Sequence, residues 1–282
     1  MTRIALVVSD VDGTLLTKDK PLTEASQAAV ARLHDAGIDF TITSSRPAVG
    51  MRFLIEPLNI KLPVGPFNGS SIVDAQMKPV EQHLIPASAV EKSLELFNEA
   101  GIDIWLFTNE QWLTKNPDGE YVPNEKRAIR ADPTVIGDFS PYISRACKVV
   151  GSSPDFDLLA RCETAMQKAL GTRATAVRSQ HYYLDITPPG QNKGTFVRAM
   201  ARRLGISTDE VAVIGDMRND IAMFEVGGLS FAMRNATDDV KQHAKRITAT
   251  NEEDGFAKAM EVVLRENAQR LLRRRPGESR DP

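Results

Sequence analysis

Hydrophobic and polar positions along this chain follow two different rhythms. Residues 4–8 are apolar throughout and mostly β-branched, as in a parallel strand buried on both faces. The polar turn Asp10-Val11-Asp12-Gly13-Thr14 follows. Thr23 stands as an N-cap before Ala29, Val30 and Leu33 at helical spacing, and Gly37 closes that helix near Ala36. Residues 38–43 read as a second strand, stopped by Ser44-Ser45-Arg46-Pro47. Pro47 suits the first turn of another helix, to about Glu56. This alternation implies a parallel sheet with right-handed crossovers.

The rhythm changes near Pro86. Residues 87–100 form an amphipathic helix ended by Gly101, and residues 102–108 and 111–115 read as strands before the turn Asn116-Pro117-Asp118-Gly119. Residues 148–151, 174–179 and 182–187 read as further strands, with a helix over 154–170. Strands adjacent without intervening helices point to an antiparallel sheet with helices on one face.

Pro188-Pro189-Gly190 marks the return to the first rhythm. Helices are expected over 193–204, 221–226, 237–244 and 253–272, and strands over 211–215 and 229–233. The expected fold is α/β: a Rossmann-like, doubly wound parallel sheet from residues 1–85 and 189–282, interrupted by an α+β domain over 86–188. The end, 273–282, has no apolar residue to bury and is expected to fray.

Composition narrows the function. With 35 Lys and Arg against 37 Asp and Glu, the net charge is near −2, so no general basic field gathers nucleic acid or an anionic membrane. Residues 4–8 are too short for a signal-peptide core, which needs about 7–15 apolar residues. No stretch approaches the ~20 apolar residues of a membrane span. Cys147 and Cys162 have neither zinc nor CxxC spacing, and a cytoplasmic protein with reduced thiols is expected.

Ligands of open α/β sheets bind beyond the carboxyl ends of the strands. Three polar clusters fall at such ends: Asp10 with Asp12, Ser44, and Asp216 with Asn219 and Asp220. Lys193 opens the helix after the return. Carboxylates gathered in one crevice repel each other, and a divalent cation relieves that. Oxygen ligands without His or Cys favour Mg²⁺ over zinc.

Ser9-Asp10-Val11-Asp12-Gly13-Thr14-Leu15 resembles the first motif of the haloacid dehalogenase-like superfamily. Ser44 resembles its second motif, Lys193 in Gln191-Asn192-Lys193-Gly194 its third, and Gly215-Asp216-Met217-Arg218-Asn219-Asp220 its fourth. Asn68-Gly69 and Met233-Arg234-Asn235-Ala236 are similar to segments of the Cof-type branch. That branch carries a cap of C2B-like type between the second and third motifs, where the insertion falls here.

The resemblance implies an Mg²⁺-dependent phosphatase. Asp10 would be the nucleophile, forming an aspartyl-phosphate, and Asp12 the general acid and base. The metal set would be Asp10, Asp12 (through its backbone carbonyl), Asp216 and Asp220. Ser44, Lys193 and Asn219 would hold phosphoryl oxygens. The expected partner is a small phosphorylated metabolite, a sugar phosphate first and a phosphorylated cofactor next. Two alternatives stand beside this: a phosphosugar mutase of the same superfamily, and a non-catalytic binding protein that kept the fold. Dehalogenation does not need the acid that Asp12 supplies.

The inserted domain is expected to close over the core and supply specificity. Trp105, Trp112, Tyr121, Tyr182 and Tyr183 are its candidate substrate contacts, with core packing the plainer role for each. Arg46, Arg127 and Arg130 are candidate anion contacts, with structural pairing or solvation the plainer role.

Overall fold

The computed structural model describes residues 2–19 and 21–273, and the expected fraying of 274–282 lies outside the described residues. In chain order the strands are β1 (Leu6–Ser9), β2 (Asp39–Ile42), β3 (Ser71–Val73), β4 (Pro79–Gln82), β5 (Asp103–Phe107), β6 (Trp112–Thr114) and β7 (Thr134–Val135). They continue with β8 (Lys148–Ser152), β9 (Thr175–Gln180), β10 (Tyr183–Thr187), β11 (Val211–Gly215), β12 (Leu229–Ala232) and β13 (Arg246–Ile247). The α-helices are α1 (Glu24–Asp35), α2 (Ala87–Glu99), α3 (Val122–Ile129), α4 (Phe156–Leu170), α5 (Lys193–Leu204), α6 (Ile221–Phe224), α7 (Asp238–Lys241) and α8 (Gly255–Arg273).

The chain divides into two compact units. One comprises Met1–Ile42, Glu56–Leu62 and the chain from Lys193 onward; the other comprises Thr43–Ile55 and Pro63–Asn192.

The first unit is built on a five-stranded sheet in the order β13-β12-β11-β1-β2, with every pair parallel. The central strands β1 and β11 are buried along their whole length, which explains their uninterrupted apolar reading. Helix α1 begins where the Thr23 side chain accepts a hydrogen bond from the Ser26 amide, and buries Ser26, Ala29, Val30 and Leu33 on one face. Helix α8 packs against α1 and is fastened to the first strand's approach by Asn267. Its Oδ1 accepts from Ile4 N at 3.0 Å and its Nδ2 donates to Ile4 O at 2.7 Å. Five parallel strands with helical crossovers make this unit α/β, as the sequence rhythm implied.

The second unit holds a six-stranded sheet in the order β7-β6-β5-β8-β10-β9 and a separate β3-β4 hairpin. Its pairs are antiparallel except β6 with β7, which is parallel. Alternation along the strands sends residues to opposite faces. Leu106, Val149, Leu184 and Ile186 meet Phe97 of α2 and Leu159 and Met166 of α4 in an aliphatic core. Trp105, Phe107, Trp112, Val150 and Tyr183 face the other way and pack with Phe67, Val122 and Ile129. The five aromatics proposed as substrate contacts belong to this second layer: Tyr121 and Tyr182 stack with centroids 4.3 Å apart, and Trp105 meets Tyr183 edge-on.

Two local features differ from or go beyond the sequence pattern. Residues 48–54 form a 3-10 helix, and Pro47 caps it in an extended conformation (φ −67, ψ 163) instead of sitting in its first turn. Gly50 lies in its middle, close enough to α3 that an added Cβ would stand 3.2 Å from the Ile129 Cα. The segment containing Arg127 forms α3, a helix that the pattern does not announce; only Val122 and Ile129 are buried there, two turns apart, too thin a stripe to read as periodicity.

Candidate active site

The carboxyl ends of β1 and β11 carry Asp10 and Asp216. The Asp10 amide donates to the Ile214 carbonyl at 2.9 Å, extending the β1–β11 pairing by one residue and fixing where its side chain starts. Gly13, at φ +79, turns the chain sharply after Asp12. A Cβ there would lie 2.9 Å from Cγ of Asp216, so only glycine lets the first turn approach that carboxylate.

The turn after β11 is organised by Asp220. Its Oδ2 accepts from the amides of Asp216 and Met217, both at 2.8 Å, and its Oδ1 accepts from Lys193 Nζ at 2.6 Å. Gly215 makes room, since a Cβ there would come within 2.6 Å of the Asp220 Cβ. Lys193, at the start of α5, is 1% exposed and donates also to Asp10 Oδ1 at 2.5 Å. Thr14 Oγ1 donates to Asp216 Oδ1 at 2.9 Å, and Asn235 Nδ2 reaches Asp216 Oδ2 at 3.2 Å.

The structure thus brings Asp10, Lys193, Asp216 and Asp220 together. Three carboxylates face one ammonium, and ligand atoms of Asp10, Asp216 and Asp220 all lie within 4.8 Å of one another. Electrostatics records the excess. Burial pushes the Asp10 carboxyl well above the ordinary range, with Lys193 pulling down and Asp220 and Asp216 pushing further up. Burial, then the neighbouring Asp220, lifts Asp216 to about 6. Burial works against the charge of Lys193, but Asp10 and Asp220 hold its ammonium above its usual range.

These residues fit a divalent cation. Ligand atoms of Asp10, Asp216 and Asp220 lie within 4.8 Å of one another, and ionised carboxylates held that close are relieved by a cation between them. The donors are hard oxygens, the kind Mg²⁺ takes.

Other expected site residues stand differently. Asp12 is half-buried, and its carboxylate is outside the three-carboxylate group. Asn219 is exposed on the turn that carries Asp220. Ser44 belongs to the second unit, where it is 1% exposed. Its amide donates to Gly65 O at 3.0 Å, its carbonyl accepts from Asn68 N at 2.7 Å, and its Oγ accepts from Arg46 N at 3.2 Å. Phe67, Asn68 and Gly69 hold three consecutive positive φ values (52°, 58° and 82°) to make that loop. Arg46 donates to the Gly50 and Ala128 carbonyls, a structural use of its guanidinium. Arg130 lies 3.8 Å over the Phe53 ring, and Arg127 donates to Asn124 at 3.1 Å.

The site also contains two residues to which the sequence reading gave no role, Thr14 and Asn235. Both lie within segments that resemble the family, Thr14 in residues 9–15 and Asn235 in residues 233–236. Asn235 carries the same positional signal as the acids, because it closely follows the carboxyl end of a parallel strand, β12.

A family model for haloacid dehalogenase-like hydrolases matches residues 7–260, which takes in both units. The chain belongs to that family. The 5-amino-6-(5-phospho-D-ribitylamino)uracil phosphatase of Bacillus subtilis is 29% identical over 258 residues, covering 91% of this chain and 94% of that protein. The pyridoxal phosphate phosphatase of Escherichia coli is 27% identical over 262 residues, covering 89% and 96%. The crystal structure of a haloacid dehalogenase-like hydrolase from Bacteroides thetaiotaomicron superposes with a TM-score of 0.86 at 27% identity, covering 93% of this chain and all of that one. This hydrolase is therefore matched over nearly its whole length by proteins of the same family. Among the described residues, no helix is long and apolar enough to cross a membrane.

Proposed function

We propose that this hydrolase is an Mg²⁺-dependent phosphatase acting on a small phosphomonoester, with Asp10 as nucleophile. The observation that carries the reading is the buried cluster of Asp10, Lys193, Asp216 and Asp220 at the carboxyl ends of β1 and β11, with more acid than base in it. The phosphatase activity in the names of both relatives adds support, and both names specify small phosphorylated metabolites.

In this reading Asp10 attacks phosphorus, the bond to the leaving oxygen breaks, and Asp12 gives that oxygen a proton. Asp12 then takes a proton from water, the water oxygen attacks the aspartyl-phosphate, and the bond to Asp10 breaks to release phosphate. Asp10, the Asp12 carbonyl and Asp216 would hold the cation, with Asp220 supporting them, and the cation would supply positive charge against the phosphoryl oxygens. Lys193, held ionised by two acids, supplies a fixed positive charge of its own, and Ser44 and Asn219 are assigned to the remaining phosphoryl oxygens. We assign selection of the leaving group to residues 86–188, and location to the cytoplasm.

The test is phosphate release from a panel of sugar phosphates, pyridoxal phosphate, phosphorylated ribityl compounds and an aryl phosphate, with Mg²⁺ or with a chelator. Release that requires Mg²⁺ supports the reading. Turnover undiminished by thorough chelation removes the metal, and no turnover on any substrate removes the phosphatase. A requirement for a bisphosphate activator, with phosphate conserved, would make the chain a mutase.

A further inference from the structure

Asn235 makes a set of hydrogen bonds that leaves its amide a single orientation. Its Oδ1 accepts from the backbone amide of Asn251 at 3.1 Å, which requires an acceptor at that position. Its Nδ2 must then point the other way, where it meets Gly13 O at 2.9 Å and Asp216 Oδ2 at 3.2 Å. Both of those are acceptors, so the assignment of oxygen and nitrogen is fixed by chemistry. Asn251 is itself anchored, donating through Nδ2 to Leu16 O at 3.0 Å. One amide therefore ties three segments: the turn after β1, the turn after β11 and the loop that precedes α8.

We propose that Asn235 is a positioning residue that presets the cation site, orienting the Asp216 carboxylate and holding the Asp12–Gly13 turn beside it. This rests on the metal-dependent reading of the site. The contact supplies what the cluster lacks. Asp216 has Thr14 on Oδ1 and Asn235 on Oδ2, so its plane is fixed from both sides while each oxygen keeps a further lone pair. Asn235 is neutral, so it orients the carboxylate without offsetting the negative charge that attracts a cation. A lysine in its place would aim as well but would compete with the metal. Groups that orient a metal ligand in this way change metal affinity by about 10–100-fold when removed. Asn235 is exposed, so its replacement leaves no buried cavity.

The experiment measures Mn²⁺ binding to the full chain without substrate, by electron paramagnetic resonance of the free ion, with Mg²⁺ as competitor. Wild type, Asn235→Ala, Asn235→Leu and Asn235→Gln are compared. Alanine and leucine should each weaken Mn²⁺ binding about 10–100-fold, and glutamine, which keeps an amide, should recover part of it. Turnover of an aryl phosphate at saturating Mg²⁺ should return most of the way to wild type, because the cation once bound restores the geometry. A purely structural role would instead lower the unfolding midpoint in chelator and leave the Mn²⁺ constant of the folded fraction unchanged. Mn²⁺ constants within twofold of wild type in both alanine and leucine variants overturn the inference and leave the metal-dependent reading standing. Failure of the wild type to bind Mn²⁺ overturns both.

Discussion

Both units bury charge, and they do so on opposite terms. In the second unit, Lys148 of β8 and Asp185 of β10 form an ion pair at 2.6 Å, with side chains 12% and 7% exposed. One acid meets one base, and the pair is neutral. In the first unit, Lys193 serves Asp10 and Asp220 at once while Asp216 stands beside them, so the cluster is acid-rich. A neutral buried pair has only to offset its own desolvation. An acid-rich cluster cannot do that alone, and its unmet negative charge is what a bound cation would offset.

The comparison can be broken most sharply at Asp10. Asp10→Asn would remove the proposed nucleophile at nearly constant shape, and kcat for an aryl phosphate should fall by about 10³-fold or more, with the circular dichroism spectrum retained. Retention of wild-type turnover would reduce the acid-rich cluster to a structural feature like its counterpart. The converse change is Lys148→Met, which strands Asp185, one of whose oxygens already has no hydrogen-bond partner among the described residues. Stability to urea should fall by about 3–5 kcal/mol, and the double change Lys148→Met with Asp185→Leu should recover most of it. Turnover at Asp10 should be unaffected where the protein remains folded.

A smaller effect sharpens the same contrast through pH. Asp216 is lifted to about 6 by burial and by Asp220, above its ordinary 3.8. The stability linked to its proton is complete below the unfolded value and is lost as pH rises through 6. In chelator, the thermal midpoint should therefore drop between pH 5 and pH 7.5. Mg²⁺ at about 100 times its dissociation constant should add about 2.7 kcal/mol at pH 7.5, and less at pH 5, where protons compete for the carboxylates. An equal gain at both pH values would count against Asp216 as a ligand. The mildest test is steric and involves no charge. Gly151 of β8 admits the Phe97 ring, whose Cζ would stand 2.6 Å from an added Cβ. Gly151→Ala should cost about 1–3 kcal/mol in urea unfolding, with metal dependence unchanged.

The sequence showed most of the first unit, because its signals are local. Residues 193–204 and 211–215 were read with the bounds of α5 and β11, and Thr23 and Gly37 marked the ends of α1. The acidic residues were legible because parallel strands announce their carboxyl ends by an abrupt switch from apolar to polar. The partner assignments were not legible. Lys193 was assigned to phosphoryl oxygens, but that Asp220 shares it with Asp10 follows from a turn held by two backbone amides. The role of Asn235 was hidden for a related reason, despite its place after β12: its partners lie 16, 19 and 222 positions away. In the second unit, α3 escaped detection because Val122 and Ile129 alone face inward. The parallel pairing of β7 escaped because a two-residue strand carries no direction in its sequence.

The clasp between Asn267 and Ile4 joins segments that are made far apart in time during synthesis. β1 occupies an interior place in its sheet, with β2 on one side and β11 on the other, yet β11 is made some two hundred residues later. At about 5–20 residues per second, the ribosome takes ten seconds or more to deliver it. Throughout that interval the strand leading into Asp10 has one open edge, and its amides wait for β11 carbonyls. Most of the second unit, an uninterrupted run from Pro63 to Asn192, emerges within the same interval and has its own two-sided core. Because domains tend to fold as units as they emerge, the inserted run is expected to pack before β1 gains its second neighbour. The approach to the strand that leads into Asp10 can be fastened only once α8 has been made and Asn267 can close on Ile4.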